Sequence, residues 1–250
     1  MKVTKTELLI PCQNGKLYGI LYHPENSSEN LPVIIVSHGF YSSHEMMGET
    51  AQRLAEKGYM TYCFDYRGCS YSRKSGGDLL TCSIRTEIED LSAIIDYFKA
   101  AAPDREIFLA GQSMGGVVSA LTAAERQEDI AGLTLMCPAM NMKETCRQYY
   151  PEGAAIPAVT ENFIGISGLN LGSRFFLDLF ETDFDEMFRY EKPVYLLHET
   201  ADEMVPIEYS ENLSQRFHNC KYVRVPDAKH YFSLTEELAK DIAEFLEHHC

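Results

Sequence analysis

The sequence of 250 residues contains no apolar run that is long enough to cross a membrane. Its first residues, Met1–Glu7, also lack the continuous apolar segment of a secretory signal peptide. We therefore expect no membrane span and a cytoplasmic location.

Basic residues are few, since 22 Lys and Arg stand against 37 Asp and Glu and give a formal net charge of −15. Nucleic acids and anionic membranes are polyanions, so charge repulsion argues against both as partners. The composition, 45% hydrophobic and 24% charged, is typical of a globular protein with one substantial core. We expect a small molecule as the partner, and we leave a homodimer open.

The cysteines form no C-x-x-C pair, and no histidine stands at metal-ligand spacing from them. Disulfide frameworks are typical of small secreted chains, which this sequence does not resemble. We therefore predict eight free thiols, several of them packed in strands. The eight are Cys12, Cys63, Cys69, Cys82, Cys137, Cys146, Cys220 and Cys250.

Two segments begin like the H-E-x-x-H metal motif, at His44 and His198, but neither has the second histidine. His198 also stands at the end of a predicted strand, where the motif requires a helix. No G-x-G-x-x-G follows the first predicted parallel strand. We therefore predict no metal and no dinucleotide cofactor.

Apolar runs of strand length alternate with helical patterns along most of the chain. A hairpin is predicted at the N-terminus, where Asn14-Gly15 separates two strand-like runs. Later strands alternate with helices, of which 84–101 has the clearest apolar stripe. The predicted strands are 3–10, 17–22, 32–36, 59–64, 106–110, 132–137, 193–198 and 220–225. This order predicts the α/β class with a doubly wound, mostly parallel sheet.

The alternation stops between Pro138 and Glu191, where the sequence is irregular and rich in aromatic residues. Short helices are predicted there, such as one over 174–180. We interpret residues 138–191 as a lid inserted above the sheet. Residues 1–137 and 192–250 then form one core.

A single polar residue, Ser113, stands between Gly111 and Gly115 after the fifth predicted strand and before a helical pattern. This is the setting of the G-x-S-x-G nucleophile elbow. In so tight a turn, side chains at the two glycine positions would collide with the neighbouring strand and helix. The string alone arises by chance in about one chain of this length in ten, so it requires a base and an acid elsewhere.

A serine nucleophile needs a base, and the base needs a carboxylate that fixes its tautomer. In doubly wound sheets such groups collect at the carboxyl ends of strands. His230 lies in the loop after the last predicted strand, and Asp202 follows the seventh, in the order Ser–Asp–His. Asp227 is the main rival for the acid, with Glu199 and Glu203 as runners-up.

An acyl-transfer site also needs two backbone N–H donors for the developing oxyanion. Met114 opens the helix after Ser113, where N–H groups are unpaired. The second predicted donor is Phe40, which follows the third strand and His38-Gly39. Gly39 lets the backbone come close to Ser113.

Over its whole length the chain resembles the α/β-hydrolase superfamily. The matching pieces are His38-Gly39-Phe40, Asp65-Tyr66-Arg67-Gly68-Cys69-Ser70-Tyr71-Ser72, Gly111-Gln112-Ser113-Met114-Gly115-Gly116, Asp202 and His230. Within it, the chain is most similar to bacterial cinnamoyl (feruloyl) esterases and related small carboxylesterases. The resemblance implies the α/β-hydrolase fold and hydrolysis of carboxylic esters through an acyl-enzyme on Ser113.

Two positions depart from the pattern of that superfamily. Ser70 stands where D-x-R/N-G-x-G-x-S usually has its second glycine, and Glu199 replaces the glycine that often follows His198. The aromatic residues of the insertion, with Met140 and Met142, favour an aromatic or medium-length apolar acyl group.

Other functions could use the same three residues. A monoacylglycerol lipase is one, and a serine aminopeptidase is another. A peptidase that binds a free amino terminus needs acidic residues in the lid, for which the candidates are Glu152, Glu161, Asp178, Glu181, Asp183 and Asp185. A non-catalytic binding protein of the same fold is the alternative from another class, and an intact triad argues against it.

Overall fold

The computed structural model describes residues 1–28 and 30–249 and shows a sheet between two layers of helices. The strands are β1 (Val3–Cys12), β2 (Gly15–Pro24), β3 (Val33–Ser37), β4 (Met60–Phe64), β5 (Ile107–Gln112), β6 (Ile130–Met136), β7 (Val159–Thr160), β8 (Leu171–Gly172), β9 (Val194–Glu199) and β10 (Cys220–Val225). The helices are α1 (His44–Ala55), α2 (Ile84–Ala101), α3 (Met114–Glu125), α4 (Met142–Tyr149), α5 (Ser173–Glu181), α6 (Glu208–Arg216) and α7 (Glu236–His249). None of these helices has the length and apolar character that a bilayer crossing requires.

Eight of the strands form one sheet, in the order β1-β2-β4-β3-β5-β6-β9-β10. β1 pairs with β2, and β2 with β4, in antiparallel fashion, whereas every neighbouring pair from β4 to β10 is parallel. The predicted N-terminal hairpin is present, with Cys12 paired to Gly15. The structure therefore confirms the doubly wound, mostly parallel sheet.

Alternate side chains of the central strands pack against different layers of helices. On β3, Ile34 and Val36 belong to the apolar cluster formed with α1 and α7. Val33 and Ile35 belong to the cluster formed with α2 and α3. A strand buried on both faces needs a continuous apolar run, which explains its composition. The helix predicted over 84–101 coincides with α2 and begins with a capping box that Ser83 forms.

The insertion between β6 and β9 contains α4, the two-residue strands β7 and β8, and α5. The short helix predicted over 174–180 lies within α5, so that prediction is confirmed. Three aromatic residues of the insertion, Phe163, Phe175 and Phe176, belong to the same apolar cluster as residues of α2 and α3. The insertion is therefore packed on the core through these rings, while its action as a lid stays a prediction.

One pair of cysteines corrects the prediction of eight free thiols. Cys69 and Cys82 form a disulfide, and both are buried. The two lie 13 residues apart in irregular segments, and only the path of the chain after β4 brings them together. The described free cysteines are Cys12, Cys63, Cys137, Cys146 and Cys220, and Cys250 lies outside the described residues. Disulfides are uncommon in the cytoplasm, and the cytoplasmic location stays a prediction.

Reduction of this disulfide is expected to lower the free energy of unfolding by about 3 kcal/mol, because the open chain regains the entropy of a loop of this length. Urea unfolding with and without dithiothreitol measures the difference. The double variant Cys69→Ala/Cys82→Ala is the control, since its stability should not respond to the reductant. An equal response in both proteins would contradict the prediction.

Candidate active site

Ser113 lies at the tight turn between β5 and α3, with φ 56° and ψ −123°. A non-glycine residue in such a conformation costs on the order of 1–3 kcal/mol, which the surrounding structure must offset. A Cβ on Gly111 would lie 2.2 Å from the Gly115 carbonyl oxygen, and one on Gly115 would lie 2.3 Å from the His38 carbonyl oxygen. A side chain at either position would collide with the backbone, so both positions require glycine.

Two hydrogen bonds connect Ser113, His230 and Asp202. Ser113 Oγ lies 2.9 Å from His230 Nε2, and His230 Nδ1 lies 2.7 Å from Asp202 Oδ2. A carboxylate can only accept, so Nδ1–H donates to Asp202 and Nε2 accepts from the Ser113 hydroxyl. The structure therefore brings these three residues together in the arrangement that proton transfer from the serine requires.

Several donors surround the Asp202 carboxylate. Oδ1 accepts from the N–H groups of Met204 and Val205 at 2.8 and 2.9 Å, and Oδ2 accepts from His230. Burial alone would raise the pKa of Asp202. Hydrogen bonds from His198, His230 and Val205 outweigh burial and hold this pKa well below its ordinary value. Asp202 is therefore a carboxylate at neutral pH.

His198, to which the sequence assigned no role, is a further neighbour of Asp202. Its Nε2 lies 2.9 Å from the Val205 carbonyl oxygen and 3.3 Å from Asp202 Oδ2. Its Nδ1 lies 2.7 Å from Ser210 Oγ. A carbonyl oxygen only accepts, so Nε2 carries the proton and Nδ1 accepts from the Ser210 hydroxyl. The available sequence signal was a histidine at a strand end, four residues before the acid.

Two of the other candidates for the acid, Asp227 and Glu203, lie away from His230. Asp227 and Glu203 are exposed, and among the described residues neither side chain pairs with His230. Asp227 has φ 57°, and its N–H donates to Thr200 Oγ1 at 3.2 Å. Glu199, in contrast, is fully buried close to Asp202.

The loop after β3 lies directly against Ser113, since a Cβ on Gly39 would be 3.1 Å from Ser113 Cβ. His38 holds this loop, because its Nδ1–H donates to the Gly39 carbonyl at 2.7 Å. Its Nε2 accepts from the Tyr66 N–H at 3.2 Å. Burial lowers the pKa of His38 to about 4, so the ring stays neutral and keeps both hydrogen bonds.

The two predicted oxyanion donors lie beside Ser113. Phe40 follows Gly39 in this loop, and Met114 is the first residue of α3. Within residues 1–28 and 30–249, neither N–H group has a protein acceptor. Both residues line the same cavity as Ser113. Their role in binding an oxyanion stays a prediction.

Hydrogen bonds occupy both ring nitrogens of each of the histidines 38, 198 and 230. A metal ion at any of these rings would have to displace one of those bonds. The donor set therefore suits acid–base chemistry better than metal binding.

The family model described as "Serine aminopeptidase, S33" matches residues 28–164, just over half of the chain. The chain belongs to this α/β-hydrolase family. The matched part of the hydrolase contains His38, Phe40 and Ser113, whereas Asp202 and His230 lie beyond it. The peptidase activity in that description belongs to the family as described.

The hydrolase is similar to mammalian monoglyceride lipases. It is 30% identical to the enzyme of Mus musculus over 106 residues, and the match covers 42% of this chain and 34% of that protein. Identity to the enzyme of Homo sapiens is 29%, with the same coverage. The chain thus matches about a third of the length of these relatives.

Solved structures share the fold over nearly the whole chain. Est1E from Butyrivibrio proteoclasticus with ferulic acid bound is 27% identical, with a TM-score of 0.86, and the match covers 97% of this chain and 98% of that one. A monoacylglycerol lipase of Paleococcus ferrophilus has a TM-score of 0.67 at 18% identity, with 100% of both chains covered, which shows the fold alone. The predicted α/β-hydrolase fold is confirmed, and the chain is a serine hydrolase of this type.

A cavity of about 540 Å³ extends from Ser113 and His230 of the hydrolase into the insertion. Its walls are mainly apolar and include a cluster of phenylalanine rings, in which Phe40 lies 5.9 Å from Phe163 and 5.2 Å from Phe175 between ring centroids. Further lining residues come from the segment that leads into α4 and from α4 itself, namely Ala139, Asn141, Met142, Thr145 and Cys146. Ser113 therefore faces a largely apolar space.

Proposed function

We propose that this hydrolase cleaves carboxylic esters through an acyl-enzyme on Ser113. The observation that carries the proposal is the unbroken hydrogen-bonded series from Ser113 through His230 to Asp202 at one end of an apolar cavity. A serine hydroxyl becomes a useful nucleophile when a positioned base accepts its proton. Asp202 is the carboxylate that this step needs, because its hydrogen bonds hold its pKa well below the ordinary value.

In the first half of the reaction, Ser113 Oγ attacks the ester carbonyl carbon while His230 Nε2 accepts the serine proton. The imidazolium that forms is stabilised by Asp202. Collapse of the tetrahedral intermediate breaks the bond to the alcohol oxygen, to which His230 returns the proton. Water then attacks the acyl-enzyme with His230 as the base, which releases the carboxylic acid and regenerates Ser113.

The negative charge of each tetrahedral intermediate requires donors that are already in place. The N–H groups of Phe40 and Met114 are the proposed donors, because they flank Ser113 and have no acceptor among the described residues. Such a donor is worth about 3 kcal/mol of transition-state stabilisation. His38 contributes indirectly by holding the Gly39 carbonyl.

The acyl group is proposed to be aromatic, of the hydroxycinnamoyl kind, or of medium length and apolar. The aromatic rings of the cavity support this choice, because they form an apolar surface beside Ser113. The similarity to Est1E, which was solved with ferulic acid bound, supports the hydroxycinnamoyl group.

Monoacylglycerol hydrolysis is the second candidate. Its support is the similarity to monoglyceride lipases together with two apolar residues of the cavity, Ile164 and Ile166, which are 40% and 43% exposed. An exposed apolar rim suits the entry of an acyl chain. In both readings we propose that residues 138–191 act as the lid, since they supply much of the cavity wall.

Aminopeptidase activity has less support from the site. None of the six acidic candidates in the insertion lines the cavity at Ser113. Asp178 pairs with Arg174 at 3.1 Å, and Asp185 pairs with Arg216 at 2.9 Å. An α-ammonium group bound near Ser113 would therefore lack a carboxylate from this set.

A substrate panel tests the proposal. Methyl ferulate, a medium-chain p-nitrophenyl ester, a monoacylglycerol and a proline anilide would be compared by kcat/KM. We expect turnover of the first two, and turnover of the monoacylglycerol supports the second candidate. Cleavage of the anilide alone would contradict an esterase. Labelling by a fluorophosphonate probe at Ser113 is expected, and its absence would favour a non-catalytic binding protein.

A further inference from the structure

Glu199, the last residue of β9, is a buried acid without an ion-pair partner in the described part of the chain. It is 0% exposed, and neither carboxyl oxygen accepts or donates a hydrogen bond within the described part of the chain. No Lys or Arg among those residues forms an ion pair with it. An unpartnered buried carboxyl group is costly unless it has a function or carries a proton.

The position of Glu199 connects it to the proposed reaction. One side-chain atom each of His198, Glu199 and Asp202 lies within 4.8 Å of the other two. The corresponding atoms of Cys137, Asp202 and His230 also lie within 4.8 Å of one another. Glu199 is therefore adjacent to the acid that contacts His230, without touching Ser113 or the cavity.

Two carboxyl groups this close and this buried do not both ionise readily. Asp202 receives hydrogen bonds from His230 and from two backbone N–H groups, so its anion is stabilised. The Glu199 carboxylate is stabilised only weakly, by its own N–H and the Cys137 thiol, and no bond of ordinary geometry reaches its oxygens within the described residues. Glu199 is therefore the one that keeps the proton. Burial, with the nearby Asp202 charge adding to it, raises the pKa of Glu199 to about 7. The different surroundings of the two groups separate their titrations.

We propose that Glu199 is a second acid of this site, which carries a proton beside the Asp202 carboxylate and releases it as the pH rises, so that His230 becomes a stronger base. The inference rests on the proposed role of Ser113, Asp202 and His230. Glu199 acts through Asp202 and His230 and does not contact the substrate. Its ionisation adds a second negative charge, which stabilises the His230 imidazolium.

The groups around Glu199 are consistent with this role. Cys137, just after β6, donates to the His230 carbonyl at 3.4 Å. Burial, with the charges of Glu199 and Asp202, raises the pKa of the Cys137 thiol well above its ordinary value, so it stays protonated. His198 on β9 hydrogen-bonds to Val205 and Ser210, and its Nε2 also lies 3.3 Å from Asp202 Oδ2. Burial raises the pKa of Tyr222 on β10. Its hydroxyl therefore stays neutral and adds no charge near Glu199.

The sign of the pH effect follows from this order of charges. Below about pH 7 Glu199 is neutral, and His230 is paired with one negative charge. Above it, the second negative charge adds to the stabilisation of the imidazolium, by an amount that depends on the separation and on the effective dielectric constant between the groups. Loss of protons from the coupled pair then extends over a broad pH range.

The test compares the pH dependence of the wild-type hydrolase with that of Glu199→Gln, which keeps the shape of the protonated acid. The readout is the second-order rate of fluorophosphonate labelling of Ser113, from about pH 5 to about pH 9, which requires no knowledge of the ester. We expect the acid limb of Glu199→Gln to fit one ionisation, with its midpoint lower by up to about one pH unit. The plateau rate should fall a few-fold, because His230 is a weaker base.

The matched control is Glu87→Gln, another buried glutamate with an unpartnered carboxyl oxygen, on α2 away from Ser113. Its profile should superimpose on that of the wild type. A superimposable profile of Glu199→Gln would overturn the inference, whereas a merely structural effect would lower the rate at every pH without moving the midpoint.

A second measurement does not depend on reactivity. In the Glu87→Gln protein labelled with ¹³C at glutamate carboxyl groups, NMR should show one glutamate that titrates near pH 7. If every glutamate titrates near its ordinary value of about 4.3, the inference is wrong even if Glu199→Gln does not fold. The proposed function is tested separately, because only its failure would leave Ser113 unlabelled.

Discussion

Replacement of Ser113 with alanine is expected to lower kcat/KM for ester hydrolysis by about a million-fold, the size of loss found when the serine of such a triad is removed. The physical reason is that the variant lacks the nucleophile. Within the described structure, the Ser113 hydroxyl is the one that hydrogen-bonds to His230 Nε2, at 2.9 Å. Residual hydrolysis would come from the oxyanion donors and from substrate binding alone. Initial rates on p-nitrophenyl esters measure the loss.

The chain offers a matched control for this variant. Ser119 lies on α3, is fully buried, and has a hydroxyl without a hydrogen-bond partner in the described residues. Ser119→Ala should keep activity within a few-fold, and both variants should unfold like the wild type. Comparable activity of Ser113→Ala and Ser119→Ala would remove Ser113 from the mechanism.

The second large effect is expected for Asp202→Asn, with a fall in kcat of about ten-thousand-fold, as for the same change in a serine-protease triad. The N–H groups of Met204 and Val205 fix which way the new amide points, because its oxygen must accept from them. The NH₂ group then faces His230 Nδ1, which becomes an acceptor. The ring proton moves to Nε2, which can no longer accept from Ser113.

Asp227→Asn serves as the control for this change, since Asp227 was the main rival for the acid and is exposed. It should retain nearly full activity. The rate of fluorophosphonate labelling provides a second readout, which should fall for Asp202→Asn in parallel with kcat. Equal activity of the two variants would contradict the assignment of the acid.

The family description indicates a peptide with a free amino terminus as the substrate, whereas the cavity favours an ester. The two substrates differ in charge, because the peptide carries an α-ammonium group. An aminopeptidase must balance an α-ammonium group, whereas the space next to Ser113 is bounded mainly by apolar side chains. Burial of an unpaired cation in such a space is strongly unfavourable. The ester proposal requires no such charge, so the chemistry of the cavity favours it over the activity in the family description.

Much of the architecture follows from local sequence patterns. The helix over 84–101 has an apolar residue every three or four positions and a capping serine before it, so its bounds agree with α2. The buried run of β3 and the hairpin at Gly15 carry equally local signals. The meeting of Ser113, Asp202 and His230 was also predictable, because the carboxyl ends of parallel strands lie at one edge of a sheet.

The sequence by itself therefore determined the class of fold and which three side chains would meet, since both depend on periodicity and on chain order. Only the tertiary structure decided the features that depend on contacts between distant segments. It paired Cys69 with Cys82, against the prediction, and it placed His198 and Glu199 beside Asp202. No local pattern records which way a strand-end side chain points or which neighbour it meets. The surroundings of Asp202, and with them the expected pH dependence of His230, follow from that packing.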